Sequence, residues 1–293
     1  MQTFLPLIDQ LTDLATGPKS NPTTAKVWSV LADQCWSTFP AYCSTPPDLV
    51  VAFGRELSER LTKELYANPA LRPPILRALR NVVESQMQAH TEGEKDESET
   101  EERKKNLGYL RGQAKNWLAV LFNVFASVER GERQIGEVIG VWAGVAGENE
   151  LAGAYRTVLG HLNASLAALR TYADQSPQKE KESKAKTGLQ MLDILLVLTP
   201  YLPAVQKAEV IAVVVRGGIL DASEGAVQKV GMRLVGRLVD LGGEDVLTAV
   251  GGVSGLLERL AAVGVAGAAS GGKVRAHPPL SARPSIDHVC RTE

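Results

Sequence analysis

The sequence predicts an all-α protein, built as a solenoid of stacked antiparallel helix pairs. Apolar residues recur at steps of three and four along most of the chain, which is the spacing of one helical face. Proline or glycine follows most of these segments, as is typical of helix ends. The apolar segments also come in pairs of roughly 40 residues, the period of helical repeat proteins. Aromatic residues make up only 5% of the chain, so we expect a core of Leu, Val and Ala that lets helices pack closely.

The first predicted helix pair occupies the N-terminus. An apolar face from Phe4 to Leu14 predicts a short helix that ends at Gly17-Pro18. A turn at residues 20–23 then starts a second helix, and its apolar face carries Val27, Trp28, Leu31, Cys35 and Trp36.

A proline-rich corner follows, from Phe39 to Leu49. We expect Pro40 to end the second helix, because the residue before a proline is disfavoured in the α region. Thr45 and Asp48 suit the N-terminus of a third helix. The apolar stripe of that helix is Leu49, Phe53, Leu57, Leu61 and Leu65.

Two polar segments separate the later repeats. Residues 89–106 are rich in Glu with almost no apolar residue, which predicts a disordered loop; the alternative is a contact site for basic partners. Residues 173–187 alternate Lys and Glu, which predicts a flexible linker; its basic end is also compatible with RNA contact or a nuclear-import signal. The β-branched run Val210–Val215 taken alone could be a buried strand, but its helical neighbours favour a helix.

These observations predict a HEAT/armadillo-type fold. We divide the chain into N-terminal repeats (1–88), an acidic disordered loop (89–106), middle repeats (107–172), a charged linker (173–187), C-terminal repeats (188–263) and a disordered Gly/Pro-rich tail (264–293). No polar capping repeat is evident before the tail, so we expect a piece of a longer array.

Composition excludes several classes of protein. The net charge is −1, with 32 basic and 33 acidic residues, so no global field favours nucleic acid. Three cysteines without metal-ligand spacing predict neither a disulfide framework nor a metal site. We find no signal peptide and no apolar run of membrane-spanning length, and we expect no membrane partner.

The sequence shows no active site. Of the four histidines only His161 lies on a predicted helix, and no Cys, Asp or Glu lies at ligand spacing beside it. The glycine pairs match neither a phosphate-binding loop nor a dinucleotide fingerprint. We therefore expect a protein that is not an enzyme, without cofactor, metal or small-molecule substrate.

Local rows of cations are the candidate binding residues, since Lys and Arg contact phosphates without reading sequence. The alternative is solubilising surface or ion pairs between helices. Arg233 and Arg237 form one short row. The residues that we predict to contact RNA are Arg72, Arg77, Arg80, Arg103, Lys104, Lys105, Arg111 and Lys115.

Several blocks also resemble a known family. Trp28 is followed by Phe39-Pro40, Cys43, Pro46 and Asp48-Leu49, and then by Leu71-Arg72 and residues 76–83. Residues 116–124 and Pro200-Tyr201-Leu202 continue the pattern in order. This arrangement resembles the ribosomal RNA-processing protein 12 family, over about residues 1–245. The glycine-rich end differs from the helices expected there, and family members are far longer.

The resemblance implies a function. Members are nucleolar HEAT-repeat factors that join small-subunit precursor particles, bind RNA and assembly proteins, and are linked to Ran-dependent subunit export. We therefore expect a non-catalytic scaffold in the nucleus and nucleolus, which binds pre-ribosomal RNA and small-subunit assembly proteins, with Ran GTPase as a further partner. The alternatives are a karyopherin-like nuclear transport adaptor and a general HEAT-repeat interaction module.

Overall fold

A computed structural model describes residues 4–17, 21–43, 53–88, 97–128, 133–171, 178–216, 219–220 and 225–269. This part of the chain is helical and contains no strand, which confirms the all-α prediction. Two 3-10 turns lie at Pro69–Leu71 and Thr199–Tyr201. The α-helices are α1 (Phe4–Thr16), α2 (Pro22–Tyr42), α3 (Arg55–Ala67), α4 (Arg72–Gln88), α5 (Glu97–Ser127), α6 (Arg133–Val145), α7 (Glu148–Thr171), α8 (Gln178–Leu198), α9 (Ala204–Arg216), α10 (Gly225–Thr248) and α11 (Gly252–Ala269).

The helices are arranged as pairs in two layers. The pairs are α1–α2, α3–α4, α5–α6, α7–α8 and α9–α10, and α11 packs on α10. The second helices of the pairs contact one another in chain order, from α2 to α10. The first helices form the other layer, in which α5 contacts both α3 and α7, and their mutual contacts are less extensive. This two-layer array is the predicted HEAT-type solenoid.

One continuous apolar core runs between the layers, from Ile8 to Leu256. Its middle is marked by Trp117 of α5 and Trp142 of α6, whose ring centroids are 5.9 Å apart. Burial of a large apolar side chain stabilises a fold by about 1.5–3 kcal/mol. Because the core is shared by successive pairs, each pair depends on its neighbours.

Small residues on α6 let the next pair approach closely. Gly136 faces Val197, and a Cβ on Gly144 would lie 3.2 Å from Tyr201 Cε1. Tyr201 belongs to the 3-10 turn that joins α8 to α9. After this turn, residues 204–216 are helical, so the helix interpretation is confirmed over the strand alternative.

Pro40 does not end α2 as predicted, because the helix continues to Tyr42. Tertiary packing outweighs the local preference: Phe39 is fully buried and stacks on Phe4 with ring centroids 5.7 Å apart. The carbonyl oxygen of Pro40 accepts a hydrogen bond from Asn81 Nδ2 at 3.0 Å, which ties the end of α2 to α4.

The third helix also begins later than predicted. Gly54 is its N-cap and Arg55 its first residue, so Phe53 is buried but precedes the helix. Leu57, Leu61 and Leu65 do form the buried face. Leu49, like the predicted cap at Thr45 and Asp48, lies outside the described residues.

The prediction of a disordered loop over 89–106 is wrong for residues 97–106, which belong to α5. Asn106 is buried and its Nδ2 donates to Gln86 Oε1 at 3.3 Å, so the packed part of α5 reaches back into the polar segment. Lys104 Nζ also pairs with Glu101 at 2.8 Å, one turn away, which favours helix. Residues 89–96 lie outside the described part of the chain.

Helices also extend into the predicted linker and into the predicted tail. α8 begins at Gln178, and its buried Ala185 packs inside the segment predicted as linker 173–187. Lys and Glu are good helix formers, and a packed apolar continuation lets such residues extend a helix. α11 continues to Ala269, past the predicted start of the tail at residue 264.

Glycines mark the boundary between α10 and α11. Gly243 has φ 56° and ψ −143°, which interrupts α10, and Gly251 and Gly252 also have positive φ. These left-handed conformations suit glycine because it lacks a Cβ. The final helix therefore starts at Gly252.

Candidate functional site

The structure divides the eight predicted RNA-binding cations between the two layers. Arg72, Arg77 and Arg80 lie on α4, in the layer of second helices. The other five lie on α5, in the layer of first helices. One continuous basic row is therefore not formed.

Within the α4 group, two of the three guanidinium groups have partners in the protein. Arg72 Nε donates to the carbonyl oxygen of Leu65 at 2.9 Å, near the end of α3. Arg80 pairs with Glu84 at 2.7 Å and with Glu137 of α6 at 3.2 Å. The hydrogen bond to Glu84 is the main reason that the pKa of Arg80 is raised. Arg77 is exposed, and the described residues offer it no ion pair.

The α5 group begins at the edge of the array where α4 ends. The buried hydrogen bond between Gln86 and Asn106 brings this part of α5 against α4. Here Lys104 pairs with Glu101, Arg103 is half-buried and Lys105 is exposed. Because the exposed carboxylates of Glu101 and Glu102 precede these cations, the edge carries both signs of charge.

Arg111 and Lys115 follow on α5 and differ in role. Arg111 Nε donates to the carbonyl oxygen of Val145 at 3.5 Å, at the end of α6. A cation at a helix C-terminus is favoured by the helix dipole, so Arg111 has a structural task. Lys115 is exposed and lies at a surface groove.

This groove separates α5 from α7, and we call it the α5/α7 groove. It is lined by side chains between 115 and 126 of α5, between 153 and 161 of α7, and by Thr187 and Met191 of α8. Its cavity volume is about 530 Å³. Buried Phe122, Val158 and Met191 give it an apolar floor, and the rim is polar. The groove was not predicted from the sequence, because α5 and α8 are far apart in the chain. Its sequence signal is the small residues within the apolar stripe of α5.

A partly buried polar contact joins α7 to α9. Tyr155 is 1% exposed, and its hydroxyl donates to Glu209 Oε2 at 2.7 Å. Burial, reinforced by this hydrogen bond, raises the pKa of Tyr155 above its usual range. Glu209 also lines a surface cavity of about 500 Å³ between the same helices, together with Arg216. Arg216 donates to the carbonyl oxygen of Ala249 at 2.8 Å, so the residues here hold neighbouring helices together.

The described residues bring together no group of three or more His, Cys, Asp or Glu that could hold a metal ion. Cys43 is buried and Cys35 half-buried, both as free thiols, and burial raises the pKa of Cys43 to about 12. His161 is exposed at the rim of the α5/α7 groove, while the other histidines lie outside the described residues. Among the described helices, none has the length and apolar character needed to cross a membrane.

Comparison with known proteins shows that part of this array is similar to a family. Residues 1–128 match the family profile described as "Ribosomal RNA-processing protein 12, HEAT repeats". Ribosomal RNA-processing protein 12 of Saccharomyces cerevisiae is 27% identical over 223 residues, which cover 74% of this chain and 18% of that protein. The putative ribosomal RNA-processing protein 12 of Schizosaccharomyces pombe is 28% identical over 221 residues, covering 73% and 19%. The chain is therefore similar to the ribosomal RNA-processing protein 12 family, and its residues 1–128 match the HEAT repeats of that family.

Vertebrate relatives match a shorter part. The RRP12-like protein of Gallus gallus is 30% identical over 128 residues, which cover 43% of this chain and 9% of that protein. The chain therefore spans about a fifth of the length of the fungal family members, and less of the chicken protein. No solved structure matches the chain.

The family profile covers the predicted cations but only part of the α5/α7 groove. The profile match over residues 1–128 includes α1 to α5, and hence all eight predicted cations. The α5/α7 groove has only its α5 wall within that match.

Proposed function

We propose that this chain is a non-catalytic scaffold in ribosome biogenesis, which binds pre-ribosomal RNA and the assembly proteins of the small-subunit precursor. The observation that carries the proposal is its similarity to a family whose members are named for ribosomal RNA processing. Since the chain spans about a fifth of its fungal relatives, we propose for it a share of the binding surface of such a protein.

The architecture supports a binding role. A two-layer helical array presents long surfaces on both sides, and such surfaces spread contacts over many side chains. The described residues include no metal-ligand cluster, and His161 has no Cys, Asp or Glu beside it at ligand spacing in the sequence. Holding and shape-matching are the mechanism that this surface supports.

RNA contact is assigned to the cations that the array leaves exposed. Arg77, Lys105 and Lys115 are exposed, and the described residues offer them no ion pair. Arg72, Arg80, Lys104 and Arg111 bond to the protein, so they would contact phosphate at the cost of those bonds. Arg103 is half-buried at the same edge. Contacts of this kind read charge and shape rather than sequence.

We further propose a nucleolar and nuclear location, with a contribution to subunit export through Ran GTPase. These proposals rest on the family alone. A karyopherin-like transport adaptor or a general HEAT-repeat module is the alternative, and each predicts protein partners whose binding does not require RNA.

The test is a tagged pull-down from nuclear extract with and without RNase, with sequencing of the bound RNA. We expect small-subunit precursor RNA and its assembly proteins, and we expect RNase to release much of this material. Recovery of Ran without RNA would favour the transport adaptor. Absence of both precursor RNA and assembly proteins would contradict the scaffold proposal.

A second experiment tests the cations directly. Binding of a small-subunit precursor RNA fragment is measured at increasing salt for the wild type and for Arg77→Glu/Lys105→Glu. Each phosphate contact that is lost should lower the salt slope by about 0.7 on single-stranded RNA. The control is Lys26→Glu/Lys229→Glu, which makes the same charge change at exposed positions on α2 and α10. Equal losses in both double variants would show that only net charge matters.

A further inference from the structure

The α5/α7 groove has the form of a docking site rather than of an interface within the array. Its floor is apolar, with Phe122, Val158 and Met191 buried beneath it, while Ala119 on its wall is exposed. The helices that border it are parallel members of the first-helix layer, with α8 behind them.

The length of the groove suits a helix. The side chains of α5 that line it run from Lys115 to Ala126, which is about 16 Å at 1.5 Å per residue. This is about three helical turns, so a bound helix would present apolar residues at i, i+4, i+7 and i+11. Ala119 and Ala154 face the groove from its two walls, and such small side chains let another helix come close.

The charged side chains that line the groove, among the described residues, are basic. Lys115 stands at one end and His161 at the rim of α7, and no carboxylate lines the groove in the part of the chain that is described. An apolar helix that carries an acidic residue near the end facing Lys115 would match both features.

We propose that the α5/α7 groove binds an amphipathic helix of a protein partner, with an acidic residue of that helix paired to Lys115. The apolar floor supplies most of the binding free energy, and Lys115 sets the direction of the helix. This inference rests on the groove alone and stands whether or not the chain contacts RNA.

The experiment measures fluorescence anisotropy with two labelled helical peptides of about 18 residues, long enough to form a helix. Both carry Leu at i, i+4, i+7 and i+11; one carries Glu a turn before the first Leu, and the other carries Lys there. The wild type should bind the Glu peptide more tightly, and Lys115→Glu should weaken that binding about tenfold, as for loss of a close charge pair. The Lys115→Glu variant should bind the Lys peptide more tightly than the wild type does, because the opposite charges are then restored.

Two further variants complete the test. Ala119→Arg fills the groove from an exposed position and should weaken both peptides, while Lys229→Glu on α10 makes the same charge change as Lys115→Glu and should weaken neither. Circular dichroism checks that each variant is folded.

Three outcomes would overturn the proposal. The first is equal binding of the Glu peptide and of a scrambled peptide. The second is peptide binding that Ala119→Arg leaves unchanged. The third is a Lys115→Glu variant that loses affinity for precursor RNA but not for the Glu peptide, which would assign Lys115 to RNA and leave the scaffold proposal intact.

Discussion

At the scale of single residues, polar contacts between helix pairs add to the stability that the apolar core supplies. Tyr155 is an example, because its ring is buried in the core while its hydroxyl reaches Glu209 on α9. A hydrogen bond to a charged group contributes more than one between neutral groups. The contact therefore links two successive repeats at one defined point.

We predict that Tyr155→Phe lowers the free energy of unfolding by about 1–2 kcal/mol, the range for a hydrogen bond to a charged acceptor that can be rehydrated. Urea denaturation followed by circular dichroism measures the change. Tyr66→Phe is the matched control, since Tyr66 is exposed and should have almost no effect. Equal effects of the two substitutions would mean that the hydroxyl of Tyr155 contributes nothing specific.

The same residue gives a pH dependence. The pKa of Tyr155 is raised in the folded protein, above the ordinary value of about 10. Its contribution is therefore complete below pH about 10 and is lost as the pH rises further, because the unfolded chain releases the proton first. Denaturation at several alkaline pH values should show the wild type and Tyr155→Phe converging in stability above pH 10. A constant difference between them would contradict this assignment.

The two described cysteines should differ in reactivity. Cys43 is buried, with its pKa raised to about 12, whereas Cys35 is half-buried. Thiolate is the reactive form, so Cys43 should resist modification in the native protein. With Cys290 replaced by Ser, we expect a thiol reagent at neutral pH to modify Cys35 first and Cys43 only on unfolding. Rapid modification of Cys43 in native buffer would show that the α2 end opens readily.

At the scale of helices, two glycines of α10 differ in the space that packing leaves for a Cβ. A Cβ on buried Gly231 would lie 2.6 Å from Ile219 Cγ2, whereas a Cβ on Gly236 would meet nothing within 4 Å. Ile219 is fully buried and β-branched, so it has little freedom to move away.

We predict opposite effects for the two alanine substitutions. Gly231→Ala should destabilise the protein, since overpacking costs about 1–3 kcal/mol and exceeds the gain in helix propensity. Gly236→Ala should stabilise it by about 0.5–1 kcal/mol, because alanine is the better helix former. Thermal unfolding of both variants measures the difference. Stabilisation by Gly231→Ala would show that α10 can shift away from Ile219.

At the scale of the whole molecule, the array should be most stable in its middle. The central helix α6 has neighbours on several sides, and Ile135, Ile139 and Trp142 on it are fully buried. α11 packs mainly on α10, and Val253 and Leu257 on it are exposed. In stacked repeats, stability is close to a sum over neighbouring interfaces.

Hydrogen exchange measured by mass spectrometry should therefore show graded protection. We expect amides of α6 and α8 to exchange slowest, and those of α1 and α11 to exchange first, because end repeats open locally. Equal protection of the amides in all helices would indicate that the array unfolds as a single cooperative unit.

The all-α class and the helix-pair repeat follow from the sequence, because a 3.6-residue period is a local property of the chain. The start of α2 agrees with the predicted turn at residues 20–23, because its cap is local: the side chain of Asn21 accepts a hydrogen bond from the backbone N–H of Thr23. The sequence blocks from Trp28 to residue 124 also lie in the region that matches the family profile.

Tertiary packing determines where a helix continues against the local preference of its residues, and which side chains contact each other. Packing of Phe39 carries α2 past Pro40, and packing at Asn106 draws the polar segment before it into α5. The partners of Arg80 and Arg111 come from α6, and the walls of the α5/α7 groove come from helices distant in sequence. Such contacts depend on how the pairs stack, and no periodicity within one helix encodes that stacking.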